Sequence, residues 1–467
     1  MKQSDLILVL TILSLAVSAS GQEGTIRLPR VERQIISPDQ MGGLDLKGLR
    51  GNGLIDFSFN IGAAAGGATV DDETLLGLQK GHHDFNQRGF NLQFAELGIY
   101  GQVDPFLSAQ AITNLGFNGR TGETIVELEE AFFTTTAIGD RLEIRGGTFY
   151  ADVGRTNSQH AHFWMFMDQP IINSRLFGID GLRGPGVRAT WLGNSDRYSM
   201  WSVGIHNAHG ATSHSFLQAG EGNHDHGSGH EEDEGGDEHA AFDTTIGGWA
   251  ATDNRVRNLG DILMTTRWET SWIGGSDEQR TWLLGLSGAF GPNNTGGDGH
   301  TQIYGIDLTM KWTPENNNRG WPYLIWQTEI LGRQYSAAEF EVHHIENGVE
   351  VEEEIAARRL IDWGMYTQLV YGFKPNWAFG VRYEYVNGRG DSLDNHFEPM
   401  SASIDPTRDK RSRLSTMLLW TPSHFTRLRL QYNYDHAQHL DAEHNGESHG
   451  VWLGIDFMIG RHPAHRF

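Results

Sequence analysis

The sequence predicts an all-β fold: a transmembrane antiparallel β-barrel of about sixteen strands (sixteen to eighteen), with short turns at one end and long loops at the other. Three observations carry that prediction. The first is strict two-residue alternation of apolar and polar side chains, which begins near Leu54 and recurs to the end of the chain. The second is a regular exchange of short and long connections. The third is composition, with 59 glycines, 14 tryptophans and 12 tyrosines in a chain that is 20% charged and contains no cysteine.

The alternation is clearest in the later strands. Over 304–312, Tyr304, Ile306, Leu308, Met310 and Trp312 share one face, against Gly305, Asp307, Thr309 and Lys311. Over 361–373, Ile361, Trp363, Met365, Leu369, Tyr371 and Phe373 oppose Asp362, Gly364, Tyr366 and Gln368. Leu428, Leu430, Tyr432 and Tyr434 alternate with Arg427, Arg429, Gln431, Asn433 and Asp435. A soluble sandwich with one wet face also alternates. It does not require the polar face to stay charged in strand after strand, with Trp and Tyr at the strand ends, whereas a barrel with a wet lumen and aromatic girdles does.

Short turns rich in Gly, Pro, Asn and Asp fall at 104–105, 138–141, 193–196, 274–279, 314–320, 374–376 and 421–424. The alternate connections are longer and more polar: 62–89, 116–122, 151–183, 206–258, 291–300, 334–359, 388–412 and 437–447. Once these are assigned, no stretch of roughly 100 residues is left over for a plug domain. The last strand carries Val451, Leu453, Ile455, Phe457 and Ile459 on one face, and Pro463 sets its end near Gly460, short of the terminal Phe467.

At the other end, an apolar run over 6–15 with Lys2 before it and Val17-Ser18-Ala19 after it reads as a secretory signal over 1–21, too short to anchor in a bilayer. Residues 22–53, with Pro29 and Pro38, read as a periplasmic lead-in to the barrel over 54–467. Mean hydropathy of −0.43 is far from that of a helical membrane bundle. The absence of cysteine removes disulfides, thiolate metal sites, cysteine nucleophiles and a lipid-anchored N-terminus. A formal charge of −23 excludes nucleic acid as a partner and fits a cation-attracting surface.

The tract 206–242 interleaves histidine with glycine and carboxylates, and so reads as a mobile, solvated part of the long 206–258 loop. His224, His226, His230 and His239, among Asp225, Glu231, Glu232, Asp233 and Glu234, offer ligands suited to Zn, Cu or Ni. The reading is a loose metal antenna; its alternative is a solvated loop whose histidines are incidental. His343, His344, His436, His439, His444 and His449 repeat the pattern on other long connections.

The segments 126–133 (VELEEAFF), 145–150 (RGGTFY) and 154–157 (GRTN), followed by His160-Ala161-His162 and Asp168-Gln169-Pro170, with the His-Pro-Ala-His ending, resemble a group of porin-like outer-membrane proteins. That group is distantly related to phosphate-selective porins, often carries His-rich loops, and includes relatives described as zinc-regulated outer-membrane receptors. By pattern the resemblance covers most of the chain, but its specific motifs lie within 126–186 and 460–467. It implies a porin-type barrel in the outer membrane of a Gram-negative-type bacterium, a metal-related role and a homotrimer. Separately, the terminal Phe467 after an alternating last strand resembles the signal that outer-membrane proteins offer the barrel assembly machinery. The acidic composition runs against phosphate-type anion selectivity.

The 151–183 connection follows the fifth strand, where many porins fold a loop into the lumen. Its centre, Phe163-Trp164-Met165-Phe166-Met167, is costly to leave in water, which favours inward packing. Arg155, Asp168, Arg175, Asp180 and Arg183 would then line a constriction, where charge decides which ions pass. His160 and His162 fall on one face if extended and could ligate metal, or simply anchor the loop by hydrogen bonds. No Gly-x-Ser-x-Gly, phosphate-cradling or His-Glu-x-x-His pattern is present, so the chain reads as a non-enzyme that requires no cofactor, with divalent metal an optional guest. The expectation is a passive channel for small solutes or metal ions, set in outer-membrane lipid. Its rivals are a general or anion porin with an incidental His-rich loop, and a surface binding protein or adhesin on a closed barrel.

Overall fold

A computed structural model describes residues 55–78, 81–117, 124–135, 138–139, 141–195, 197–218, 246–252, 255–275, 279–346, 349–394, 396–440 and 445–460. The expected signal, the lead-in, His224, His226, His230, His239 and the terminal His-Pro-Ala-His lie outside these residues. In chain order the strands are β1 (Ile55–Ala68), β2 (Gly89–Gln102), β3 (Leu107–Phe117), β4 (Thr124–Thr135), β5 (Leu142–Tyr150), β6 (Arg183–Leu192), β7 (Ser199–Asn207), β8 (Ile262–Gly274), β9 (Arg280–Pro292) and β10 (His300–Trp312). They continue with β11 (Tyr323–Ala337), β12 (Phe340–Glu346), β13 (Val349–Ile355), β14 (Arg358–Lys374), β15 (Trp377–Arg389), β16 (Ser392–Leu393), β17 (Pro399–Met400), β18 (Arg411–Ser423), β19 (Thr426–Ala437) and β20 (Glu447–Gly460). β12–β13 and β16–β17 form two small sheets within long connections, and the other sixteen strands close an antiparallel barrel. The seam joins β1 to β20, with Ser58 opposite Gly460 and Ala68 opposite Gly450.

Closure leaves no unpaired sheet edge, which a bilayer core demands because it offers no water to exposed N–H and C=O groups. Side chains then sort by parity. On β20, Val451 and Leu453 are 52% and 54% exposed, while Trp452 and Asp456 between and beyond them are 1% and 0% exposed. Ile205, Ile306, Ile330, Leu369, Phe379, Leu418 and Leu430 continue the exposed apolar belt on the other strands. Exposed apolar surface on this scale belongs against lipid. Aromatic rings bound the belt. Trp272 stacks on Trp282, which meets Trp326 edge-on, toward the short-turn end; Phe290–Tyr304 and Trp363–Tyr385 lie toward the long-loop end.

All seven expected short turns join the expected pairs of strands, and the two-residue turn between β14 and β15 places Asn376 at φ 70, a left-handed conformation that asparagine tolerates. Three expectations are corrected. β1 runs on through 62–68, read above as loop. Its Gly and Ala side chains give no alternation, yet smallness is required there: a Cβ on Gly62 would lie 2.4 Å from the Phe94 ring, and one on Gly66 would lie 2.1 Å from the Val451 carbonyl. The 334–359 connection is partly strand, as β11 extends to Ala337 and β12–β13 make their own hairpin.

The third correction concerns 206–218, read as solvated loop. His206 belongs to β7 and is buried, and Ala208, Phe216 and Leu217 pack into a core with Leu263 and Ala289. Three apolar residues in an otherwise polar tract, with hydrogen bonds from Thr212 to the Arg183 carbonyl and from Ser215 to the Leu176 carbonyl, fasten it. β20 is described as far as Gly460, so the expected strand end beside Pro463 lies at the edge of the described residues.

If the outward face meets lipid at mid-strand, Leu453→Arg will lower folding stability in phospholipid vesicles by about 2–4 kcal/mol in denaturant titrations. A change within error would mean that Leu453 does not face the bilayer.

Candidate functional site

The interior is organised by two connections that fold inward from the long-loop end. The first joins β1 to β2 and includes α1 (Asp72–Leu78); Leu75, Leu78 and Phe85 pack with Met167 and Trp452, and the Phe85 and Trp452 rings stack at 4.3 Å. The second is 151–182, with α2 (Ile171–Phe177), every residue of which is buried. Inward packing of the Phe163–Met167 stretch, expected from its apolarity, is observed for Phe166 and Met167, which are 1% and 2% exposed.

Polar contacts carry this second connection across the lumen. Near β9 and β11, the Gly154 amide donates to Ser287 Oγ at 2.8 Å and the Arg155 amide to Glu329 Oε1 at 2.8 Å. Farther on, Arg429 Nη1 donates to the carbonyls of Trp164 at 3.2 Å and Phe166 at 3.0 Å. The Ile171 amide donates to Glu384 on β15 at 2.7 Å. The connection is therefore held by inward side chains of strands far apart around the barrel.

Its hub is Asp168, wholly buried. It accepts from Arg382 Nη2 at 2.5 Å, Arg413 Nη1 at 3.0 Å, Gln431 Nε2 at 2.7 Å and Asn433 Nδ2 at 2.8 Å, donors from β15, β18 and β19. The same wall carries Arg411, paired with Asp435 at 2.8 Å, and Arg427 and Arg429, paired with Asp456 at 2.6 and 2.7 Å. Arginine and carboxylate alternate across neighbouring strands, so the basic wall is compensated in part by its own carboxylates, Glu384, Asp435 and Asp456, and in part by Asp168.

Across the β20–β1 seam from this basic wall, the next stretch of wall is acidic. Glu96 on β2 and Glu127, Glu129 and Glu130 on β4 face inward, around histidines of the two connections. A β-bulge explains two consecutive carboxylates on one face: Ile112 pairs with Glu130 while Thr113 pairs with Leu128, which leaves Glu129 as the extra residue. His160 Nδ1 lies 2.9 Å from Glu129 Oε2 and 3.1 Å from Glu96 Oε2, and its Nε2 lies 3.0 Å from Glu130 Oε2. His162 Nδ1 reaches Glu96 Oε2 at 3.2 Å, and His83 Nε2 reaches Glu129 Oε1 at 3.4 Å. Burial works against a charge on His83, but the hydrogen bond and charge of Glu129 outweigh it and raise its pKa to about 9. Burial, reinforced by the nearby charge of Asp168, raises Asp84 in the same connection to about 6.

Of the residues expected at a constriction, each is fastened. Arg155 lies 3.8 Å from Glu269, and Arg175 donates to the Asp409 carbonyl at 2.8 Å and to its carboxylate at 3.2 Å. Asp180 holds His82 at 2.9 Å, and Arg183 pairs with Glu127 beside them. The structure brings Asp180 and Arg183 together, and His160 with His162 (ring centroids 5.9 Å apart), but places Arg155, Asp168 and Arg175 at separate points along the wall. Sequence reasoning missed Glu96, Glu127, Glu129, Glu130, His82 and His83 as partners. The adjacent Glu129-Glu130 pair, which breaks the alternation of β4, was the available signal.

No family model matches the chain. A protein of Aquifex aeolicus described as uncharacterized is 26% identical over 425 residues, covering 89% of this chain and 79% of that protein. Among solved structures, the outer membrane channel DcaP of Acinetobacter baumannii is 9% identical with a TM-score of 0.48, covering 87% of this chain and 97% of that one. The trimer form of OmpT of Vibrio cholerae is 8% identical with a TM-score of 0.46, over 87% and 99%. An anion-selective porin from Comamonas acidovorans is 10% identical with a TM-score of 0.46, over 87% and 100%.

Removing the hub takes one of two carboxylate partners from each of two buried guanidinium groups, as Arg382 keeps Glu384 and Arg413 keeps Asp435. The cost should approach but not exceed the roughly 3–5 kcal/mol of breaking a buried pair outright. Asp168→Ala is therefore expected to lower the denaturation midpoint of the folded barrel and to open the 151–182 connection to limited proteolysis. Unchanged stability and unchanged cleavage would show that the connection is held elsewhere.

Proposed function

We propose that the chain is a porin-like outer-membrane channel through which small solutes diffuse passively, with the 151–182 connection narrowing the path. The observation that carries this reading is that connection itself: it crosses a charged barrel interior and is tied to it through Asp168 and Arg429. A segment so fixed provides a rigid filter whose charges stay where they are set. Arg155, Asp168, Arg175, Asp180 and Arg183 act in that filter mainly by fixing its shape, since each is engaged in an ion pair.

The net charge of −23 favours cations at the entrance. On this reading His224, His226, His230 and His239, in the connection between β7 and β8, gather divalent metal such as Zn2+ near the mouth. The resemblance of the 126–186 motifs extends the proposal to a homotrimer, and the terminal Phe467 extends it to insertion by the barrel assembly machinery. One observation favours a second reading, a closed barrel that binds rather than conducts: Arg382, Arg413, Glu384 and Asp307 are each 1% exposed, so the lumen is tightly filled along these strands.

Planar-bilayer recording separates the two. A channel gives discrete conductance steps with a reversal potential favouring cations, and shortening the connection by deleting residues 161–167 raises the step size. Absence of steps from heat-modifiable, folded protein would establish the closed barrel. Deletion of residues 220–239 is expected to reduce zinc uptake while leaving the conductance steps in place; unchanged uptake would remove the antenna from the proposal.

A further inference from the structure

The acidic wall holds an arrangement that neither ion conduction nor loop anchoring explains. Glu96, Glu129 and His160 converge so that one ligand atom of each lies within 4.8 Å of the other two, and the residues are 3%, 2% and 8% exposed. His160 Nδ1 faces both carboxylate oxygens, at 2.9 and 3.1 Å, yet one nitrogen can supply only one proton to the pair. Among the described residues, every ion pair made by Glu96, Glu129 and Glu130 is with an imidazole. Three buried carboxylates thus crowd a point at which acceptors outnumber donors.

We infer that Glu96, Glu129 and His160 form a divalent-cation site inside the barrel, with Glu130 and His162 holding the ligands in place. The separations fit. Metal–ligand bonds of about 2.0–2.1 Å in a tetrahedron place neighbouring ligand atoms roughly 3.3 Å apart; His160 Nδ1 lies 2.9 and 3.1 Å from the two carboxylates, and the set as a whole falls within 4.8 Å. The remaining valences of each ligand are already occupied by an orienting partner. Asn60 Nδ2 donates to Glu96 Oε1 at 2.9 Å, His83 Nε2 lies 3.4 Å from Glu129 Oε1, and Glu130 Oε2 lies 3.0 Å from His160 Nε2. A carboxylate that accepts the far N–H of a ligating imidazole fixes its tautomer and leaves the other nitrogen free for the metal.

The same criterion sets His162 outside the ligand shell. Its Nε2 is buried and makes no hydrogen bond. As a ligand through Nδ1, the ring would carry an orphaned N–H at that atom; as a donor from Nδ1 to Glu96 it leaves an unpaired lone pair there, and buried donors go unpaired less often than buried acceptors. His162 therefore positions Glu96. One imidazole and two carboxylates select a first-row divalent ion such as Zn2+, Co2+ or Mn2+, not a soft monovalent one. The fourth position is left for water or for a solute group. Such an ion would tie His160, and with it the 151–182 connection, to β2 and β4, across the β20–β1 seam from the strands that hold Asp168. This inference stands apart from the channel reading and from the histidines of 219–245.

The test uses the full chain and a variant lacking residues 220–239, both folded in detergent and verified by heat-modifiable migration, titrated with Co2+ and then Zn2+. The deletion variant is expected to bind one Co2+ per chain with a visible d–d absorption band that Zn2+ abolishes. Affinity should fall at least 100-fold in Glu129→Gln and His160→Ala, roughly 10–100-fold in Glu130→Gln, and only a few-fold in His162→Gln. Should His160→Ala lose the folded form, the near-isosteric Glu129→Gln decides alone. No stoichiometric Co2+ in the deletion variant, or binding unaffected by Glu129→Gln, would overturn the site; loss in His162→Gln equal to that in Glu129→Gln would overturn the ligand set.

Discussion

Taking a carboxylate or a guanidinium out of water costs several kcal/mol, and mutual attraction offsets this only with good geometry and with the remaining donors and acceptors satisfied. The barrel turns charged residues inward on strand after strand, and that requirement shapes nearly everything between its walls. Arg382 and Arg413 need a common acceptor, and Asp168 reaches them from a connection that begins on β5. Arg333 and Arg408 share Asp362 in the same way, and Arg267 is met by Asp307. The inward connection is thus a structural component of the wall: it supplies counter-charge that neighbouring strands alone do not.

The two walls solve the problem differently. On the basic side the partners are permanent charges, Arg against Asp. On the acidic side the positive partners of Glu96, Glu129 and Glu130 are imidazoles, whose charge is conditional. Apart from the fixed pair of Glu127 with Arg183, the acidic side is held by conditional pairs, which gives the barrel a natural direction of yielding. Whatever sits among those carboxylates, proton or metal, controls how firmly His160 and the connection bearing it are held.

Most of the barrel was legible in the sequence because a wall between lipid and a charged interior imposes a period of two on every strand, and a turn or loop breaks it at each end. Legibility failed where side chains were too small to show the period, as in 62–68, and where a bulge interrupted it, at Glu129-Glu130. The site was half legible. His160, His162 and Asp168 stood out by type and spacing within one connection. Their partners could not be found the same way, since Glu96 precedes His160 by 64 positions and Arg413 follows Asp168 by 245, and only the closed ring makes them neighbours. His206 illustrates the converse error: a histidine in a His-rich tract proved to be an inward strand residue packed against Phe149.

The seam between β1 and β20 has a consequence for how the molecule comes into being. Residues paired across it, such as Ser58 and Gly460, are separated by almost the whole described chain, so the ring is completed only after the last strand has been synthesised. Until then each growing sheet presents two open edges and a face of exposed isoleucine, leucine and aromatic side chains, a combination that invites pairing between chains. Folding by accretion as the chain emerges is thereby closed off at the final step. The polypeptide must be kept from its own kind until β20 arrives, and the order of synthesis becomes as much a constraint on this architecture as the order of strands.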